Sequence, residues 1–506
     1  MRRTEPQGVW AQYQRAVAFK QSIDLYETVR VNENFYIGKQ WEGLNAPDLD
    51  KPVINVLKRV VSYFISMIVA DDVSVAFSSF DGGEEGQELC RLLTSETEKV
   101  IEQTGLKDLS RDVIRSAAVD GDGCLYFYYD PDAETGQRVR GRLAAEVLEN
   151  TAVHFGLPGV HSVQKQPYII LSQRRPAELV RREAEENGRP AEDILPDAAP
   201  EGAAPDEDGD DMVTVLIKLW KEGGTVRCVK VTSGAVVRPE WDTGCSLYPL
   251  AWLSWDKVRH SYHGQAALTA MIPNQIAVNQ LFAMGIRSVK MNAFPKILYD
   301  KSRIPRWTNR VGEAIGVVGS PAEQVMAANL RGGDMSQQVV QLIDLLIQRT
   351  LEFMGASDAA LGNVNPQNTS AIIATQKASA MPLELQRMEF YRFTEECVRI
   401  MVDMMSAYYG RRLASRGEGE KPVWFDFAAL AHQDTSIRVD IGSASYYSEV
   451  MQVQTLDNLF QKGIISDAVT YLEGIPDRYV RGKAKILERL RAQQGTQAER
   501  SNQWQH

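Results

Sequence analysis

Over long stretches of this chain, apolar residues return every three or four positions, the spacing that gives a helix one dry face. The pattern predicts helices over Val9–Ile37, Asn55–Ala70, Gly86–Gln103 and Leu106–Val119, the first closed by the stop signal Gly38-Lys-Gln-Trp41. The period then changes. Asp120-Gly-Asp-Gly123 reads as a turn, Cys124–Asp130 as a strand by its aromatic content, and Pro131–Gly136 as a second turn. Met212–Trp220 and Thr225–Thr232 alternate as strands, with Gly223-Gly224 placed to turn a hairpin. Val423–Phe427 and Ser436–Ile441 predict strands returning to the same sheet. Helices follow over Ser448–Gln461, Ser466–Leu472 and Arg478–Gln494, punctuated by Gly463 and Gly474-Ile-Pro476.

Between these two regions lies a block of three helical segments. Gln265–Met291 is largely apolar, with Gln275, Asn279, Gln280, Arg287 and Lys290 among its polar positions. Such a helix would span roughly 37 Å, and the cations near its end suit the negative pole of the helix dipole. An insertion carrying Trp307 and the strand-like Ala314–Val318 precedes a second helix, Ser336–Met354. On that helix Gln337, Gln341, Asp344, Gln348 and Glu352 form one polar stripe, while Val339, Val340, Leu342, Ile343, Leu346, Ile347 and Leu351 cover most of the remaining circumference. Two arrangements satisfy this pattern: burial in the core of a monomer, or packing between neighbouring subunits with the stripe toward water. A loop rich in Gly and Asn, Asp358–Thr369, then leads into a helix reaching Tyr409 that Pro382 should kink.

Charge changes the picture in one place. Of a net −10, the segment Glu183–Asp211 contributes −11, from twelve acidic residues against Arg189, so the remainder is nearly neutral at +1. Composition therefore offers no basic groove for nucleic acid. Within that segment residues 191–211 hold few large apolar side chains, which predicts a disordered acidic loop. The five cysteines (Cys90, Cys124, Cys228, Cys245, Cys397) contain no C-x-x-C pair and read as reduced thiols. The most apolar window, Val60–Ala70, is far shorter than a bilayer needs, so no membrane association is expected. Asp120-Gly-Asp-Gly123 lacks calcium-loop spacing because Cys124 occupies the place of a third oxygen ligand. Phosphate loops, dinucleotide fingerprints, His-Glu-x-x-His and Gly-x-Ser-x-Gly are all missing, and the six histidines show no metal spacing. The expectation is a protein with no catalytic residues, no metal and no cofactor.

The order helix, small insertion, helix, polar loop, very long helix resembles the stem, clip, tunnel loop and tunnel helix of tailed-bacteriophage portal proteins. Phe35-Tyr-Ile-Gly-Lys-Gln-Trp41 is similar to the Tyr-x-Gly-x-Gln-Trp segment near the start of many of them. Tyr262–Asn279 resembles their approach to the stem, departing from it at Gln265-Ala266, and Leu459–Ser466 looks like their crown-side helix-turn-helix. The resemblance covers roughly Phe35–Leu490 and rests on the ordering of elements. It implies an α+β portal-protein fold: a wing over residues 1–261, stem helices at 262–291 and 335–356, a small α/β clip at 292–334, and a tunnel loop at 357–369. A long kinked helix with returning wing strands would occupy 370–447, and a helical crown 448–506.

As function, the resemblance implies a head–tail connector of the siphophage or podophage type. It would form a homo-oligomeric, dodecameric ring at one capsid vertex of the virion, assembled in the host bacterial cytoplasm. Its partners would be double-stranded DNA in the channel, the terminase large subunit, a head–tail adaptor, and capsid and scaffolding proteins. Gly362, Asn363, Asn365, Gln367 and Asn368 would face DNA from the tunnel loop, and Arg287, Lys290, Gln341 and Gln348 from the stem. Lys301, Arg303, Arg306 and Trp307 would form the clip's docking surface. The alternative is an oligomeric scaffold or adaptor of the virion that conducts no DNA.

Overall fold

The computed structural model describes residues 4–47, 49–69, 72–79, 83–135, 139–199, 211–293, 296–302, 304, 306, 318, 327–330, 337–356, 381–415, 422–432, 437–444, 446–465, 467–475, 480, 483, 486–487 and 489–490. The helix expected over Val9–Ile37 is two, α1 (Pro6–Ser22) and α2 (Leu25–Ile37), broken where Asp24 takes a left-handed φ of 51°. The break lets the halves bury their apolar residues in different layers. Val9 and Tyr13 of α1 pack on Ile170, Leu216 and Trp220, whereas α2 packs on α5 (Leu106–Asp120). Between them in sequence come α3 (Val56–Ile68), β1 (Asp72–Ser79) and α4 (Glu84–Thr104). Asn55 caps α3, its Oδ1 accepting from the Lys58 amide at 2.9 Å. The helix then buries Val56, Leu57, Val60, Val61, Phe64 and Ile68.

Two antiparallel sheets follow. β2 (Asp122–Asp130) lies between β3 (Arg142–Leu148) and β9 (Leu250–Ser254), and α5 packs against β2. The second sheet runs in the order β4 (Val153–Phe155), β5 (Ile169–Pro176), β6 (Met212–Glu222), β7 (Thr225–Val231), β8 (Val236–Asp242). The Gly223-Gly224 turn is as expected, both residues at positive φ. α6 (Ala177–Glu186) covers one end of this sheet. The acidic segment is a correction in its first part. Residues 191–199 are held down: Ile194 is fully buried, Arg181 donates to the Ile194 carbonyl at 3.0 Å, and Arg174 pairs with Asp197, which also accepts from the Thr214 amide at 2.9 Å. Charge neutralisation and one apolar anchor overcome a composition that alone would not order the chain. Residues 200–210 lie outside the described residues.

The later half supplies α7 (Ile272–Ala293), the short ladder β10 (Lys296–Tyr299) with β11 (Ala327–Leu330), α8 (Gln337–Phe353) and the long α9 (Glu384–Tyr408). Cys397, Val398, Met401 and Met405 of α9 are fully buried in the main core beside α3, α5 and β2. The predicted return to one sheet does not occur. β12 (Arg411–Ala414) and β13 (Val423–Asp426) form their own ladder, and β14 (Ile437–Ala444) pairs with β1 over eight residues. Then come α10 (Tyr446–Gln461) and α11 (Ala468–Glu473), while most of the helix expected over Arg478–Gln494 lies outside the described residues. The architecture is mixed α/β, compatible with an α+β class. Among the described residues no helix is long and apolar enough to cross a membrane.

Candidate functional site

The feature that stands apart is the α7–β10–β11–α8 unit. Asn274 at the start of α7 donates to Thr350 Oγ1 near the end of α8 at 3.2 Å, so the helices run antiparallel. By its length α7 extends about 33 Å. Its start is pinned. Gln275 Nε2 donates to the Ile54 carbonyl at 2.7 Å and to Asn279 Oδ1 at 3.0 Å, and Gln275 Oε1 accepts from the Val56 amide at 3.0 Å. Asn279 Nδ2 donates to Gln40 Oε1 at 2.6 Å, and Gln40 donates to the Phe35 carbonyl at 2.9 Å. In the sequence Gln275, Asn279, Arg287 and Lys290 form one polar line along this helix. Both amides are buried, and only the two cations are exposed. The segment Phe35–Trp41 and the first turn of the stem-like helix, far apart in sequence, are thus joined by side-chain amides.

A second buried junction lies just before α7. The helix starts at Ile272 rather than Gln265, because residues 265–271 dock onto the core and the Gln265 amide bonds the Asp256 carbonyl at 2.8 Å. Asp122, at the turn opening β2, accepts from His263 Nδ1, Ser254 Oγ and the Gly264 amide, each at 2.8 Å. The serine hydroxyl sits on the carboxylate and not on the imidazole, so this trio is no nucleophile–base relay. Burial lowers the His263 pKa, with the Asp122 hydrogen bond acting the other way. Two glycines permit the contact: a Cβ on Gly121, at φ 98°, would lie 2.5 Å from the Gly264 carbonyl oxygen. Nearby, the buried ammonium of Lys20 donates to the carbonyls of Asn150, Thr151 and Val153, each at 2.8 Å. Among the described residues no group of three or more His, Cys, Asp or Glu side chains could hold a metal ion.

Beyond these anchors the unit is open. Ten of its large apolar side chains are exposed: Ile276, Met284, Val289, Met291, Leu298, Tyr299, Val340, Leu342, Leu345 and Phe353, with Phe353 at 78% and Val289 at 61%. Scattered exposed hydrophobes are ordinary on a folded chain, but this density on one hairpin is not. The polar stripe of α8 is exposed at Gln341, Asp344, Gln348 and Glu352, while Ile343, Thr350 and Leu351 face inward. That division settles only part of the earlier choice, since one apolar face is buried within the chain and another is left uncovered.

Of the cations singled out by sequence, Arg287 is exposed and Lys290 forms a surface pair with Asp50 at 2.7 Å. Lys301 and Arg306 are exposed at the hairpin's far end, whereas Arg303, Trp307 and the strand expected over Ala314–Val318 lie outside the described residues, except for Val318, which is an exposed bend. The β10–β11 ladder, which the sequence reading missed, carries the described part of that insertion. Gly362, Asn363, Asn365, Gln367 and Asn368 lie outside the described residues, as does the helix expected over residues 370–380. Pro382 stands in a single 3-10 turn, Met381–Leu383, that leads into α9, so it occupies a helix start; whether a helix runs into it from residue 380 falls outside the described residues. No family model matches this chain, and no curated protein does.

Proposed function

We propose that this chain is a portal protein, forming a ring through which DNA enters and leaves a phage capsid and on which terminase and a head–tail adaptor dock. The observation that carries this reading is the antiparallel α7–α8 hairpin, pinned at its base by buried amides and carrying ten exposed large apolar side chains among its described residues. Repetition of one subunit around an axis would cover that apolar face with its neighbour's. It would leave the stripe of Gln341, Asp344, Gln348 and Glu352 available to a water-filled lumen. In this reading β10–β11, with Lys301 and Arg306, forms the docking end, and energy for DNA movement comes from a separate ATPase. The ring belongs to the virion, and the chain itself performs no catalysis.

Electron microscopy and native mass measurement of the purified chain test the proposal. A closed ring with an axial hole wide enough for duplex DNA is expected. A monomer at all concentrations would overturn it, and a ring without a hole would favour the scaffold or adaptor alternative.

A further inference from the structure

A cavity of about 720 Å³ lies between α2, the end of α5 and the segment from β3 to β4, remote in sequence from the α7–α8 hairpin. Tyr26, Val29, Val147 and Leu148 give it apolar walls. Its charged groups are unequal: Glu27, Glu33, Asp120 and Glu149 against Arg30 and Arg115. Both guanidinium groups are already committed. Arg30 binds Glu27 through two hydrogen bonds of 2.8 and 3.0 Å, and Arg115 binds both Glu33 oxygens at 2.5 and 2.6 Å while lying over the Tyr36 ring. Asp120 and Glu149 are left with no cation at ion-pair distance among the described residues.

Asp120 is the more telling of the two. Its Oδ1 is buried with no hydrogen-bond partner among the described residues, an arrangement that costs free energy unless something compensates it. It is also the last residue of α5, where the helix dipole is negative and a cation is favoured. We propose that this cavity binds an aliphatic ammonium ligand, its hydrocarbon chain against Tyr26, Val29, Val147 and Leu148 and its charge between Asp120 and Glu149. Apolar walls with an acidic end match that class better than a bare metal ion, which would want more oxygen ligands and no hydrocarbon surface. The site does not depend on ring formation.

Protonation provides a signature. Burial raises the Asp120 pKa to about 7, and the charges of Glu33, Glu149 and Asp122 push the same way while Arg115 opposes them. A bound cation favours the ionised carboxyl, so binding near pH 7 should release up to about half a proton, and almost none at pH 8.5.

The test is calorimetry of the full chain with 1,5-diaminopentane, in two buffers of different ionisation enthalpy. One saturable site with that proton release is expected, and 1,5-pentanediol should not bind. Asp120→Asn should abolish the release and weaken binding by about tenfold or more, and Glu149→Gln should weaken it similarly while keeping the release. Failure of the diamine to saturate, equal binding of the diol, or wild-type affinity in Glu149→Gln would overturn the proposal, whether or not Asp120→Asn folds. A lysine from a neighbouring copy carries the same chemistry. Light scattering separates the sources: an unchanged mass at saturating diamine assigns a free amine, and a falling mass assigns the neighbour's lysine.

Discussion

Replacing Gln275 by alanine tests the idea that buried amides anchor the α7–α8 hairpin. The side chain is 1% exposed and makes three hydrogen bonds, to the Ile54 carbonyl, the Val56 amide and Asn279. Each is worth about 1 kcal/mol net, and stranding the buried Asn279 Oδ1 adds about 1 kcal/mol or more. The Val56 amide keeps a contact to the Ile54 carbonyl at 2.9 Å, which trims its share. The expected loss is about 3 kcal/mol, felt locally rather than over the whole chain. Global unfolding of a chain this size is a poor measure, since several units contribute to it. Hydrogen exchange read on peptides covering residues 36–57 and 272–282 is the suitable assay, and about 3 kcal/mol corresponds to about a hundredfold faster exchange. Arg287→Ala, on the exposed part of the same helix, should change protection by less than about 0.5 kcal/mol. Acceleration below about fivefold in Gln275→Ala, or an equal effect in Arg287→Ala, would refute the anchor.

The double substitution Val289→Glu with Leu345→Glu charges two exposed apolar positions; it should abolish oligomers by native mass spectrometry and leave the thermal midpoint of the subunit within about 2 °C. Gly123→Ala should cost about 3 kcal/mol or more, because its Cβ would stand 2.4 Å from the Val113 carbonyl oxygen, whereas Gly159→Ala meets nothing closer than 3.9 Å; the soluble fraction and urea midpoint of both report the difference. Burial lowers the pKa of His154 well below, and of His263 below, the ordinary value of 6.5. The unfolded chain therefore binds more protons, so their contribution is complete above pH 6.5 and is lost as pH falls below it. Urea midpoints in a background carrying both Asp120→Asn and Glu396→Gln, which removes the opposite slopes of two carboxyls whose pKa burial raises to about 7, should fall between pH 7 and pH 5, and less so after His154→Gln.

Much of the local structure is legible because glycine marks it. Gly38, at φ 94°, closes α2 where a stop was expected, and Gly223-Gly224 turns the β6–β7 hairpin. The break at Asp24 carries no such mark, since a non-glycine residue takes the left-handed conformation there. The true start of α7 did carry one, Pro273 in its first turn, a position that suits proline. β1 was not among the expected strands, although Val73, Val75 and Phe77 alternate with serines and an alanine there, and nothing local names β14 as its partner. The burial of Gln275 and Asn279 is illegible for the same reason. Amides four apart on a helix look like a wetted face until the remote groups that satisfy them, at Gln40, Ile54 and Val56, are brought alongside.

The β1–β14 ladder also sets a timetable. In the register Asp72↔Ala444 a strand made early waits for one made late. At ribosomal speeds of about 5–20 residues per second, that delay is on the order of 20–70 s. Throughout it, Asp72–Ser79 is an unpaired edge leaving the ribosome ahead of the segment that closes it. An exposed strand edge is a template for any extended chain nearby, including the same strand of another nascent copy. Where many copies are made at once, the yield of native subunits should depend on how well this one edge is shielded during synthesis. A peptide matching Ile437–Ala444, supplied during translation, would compete for that edge.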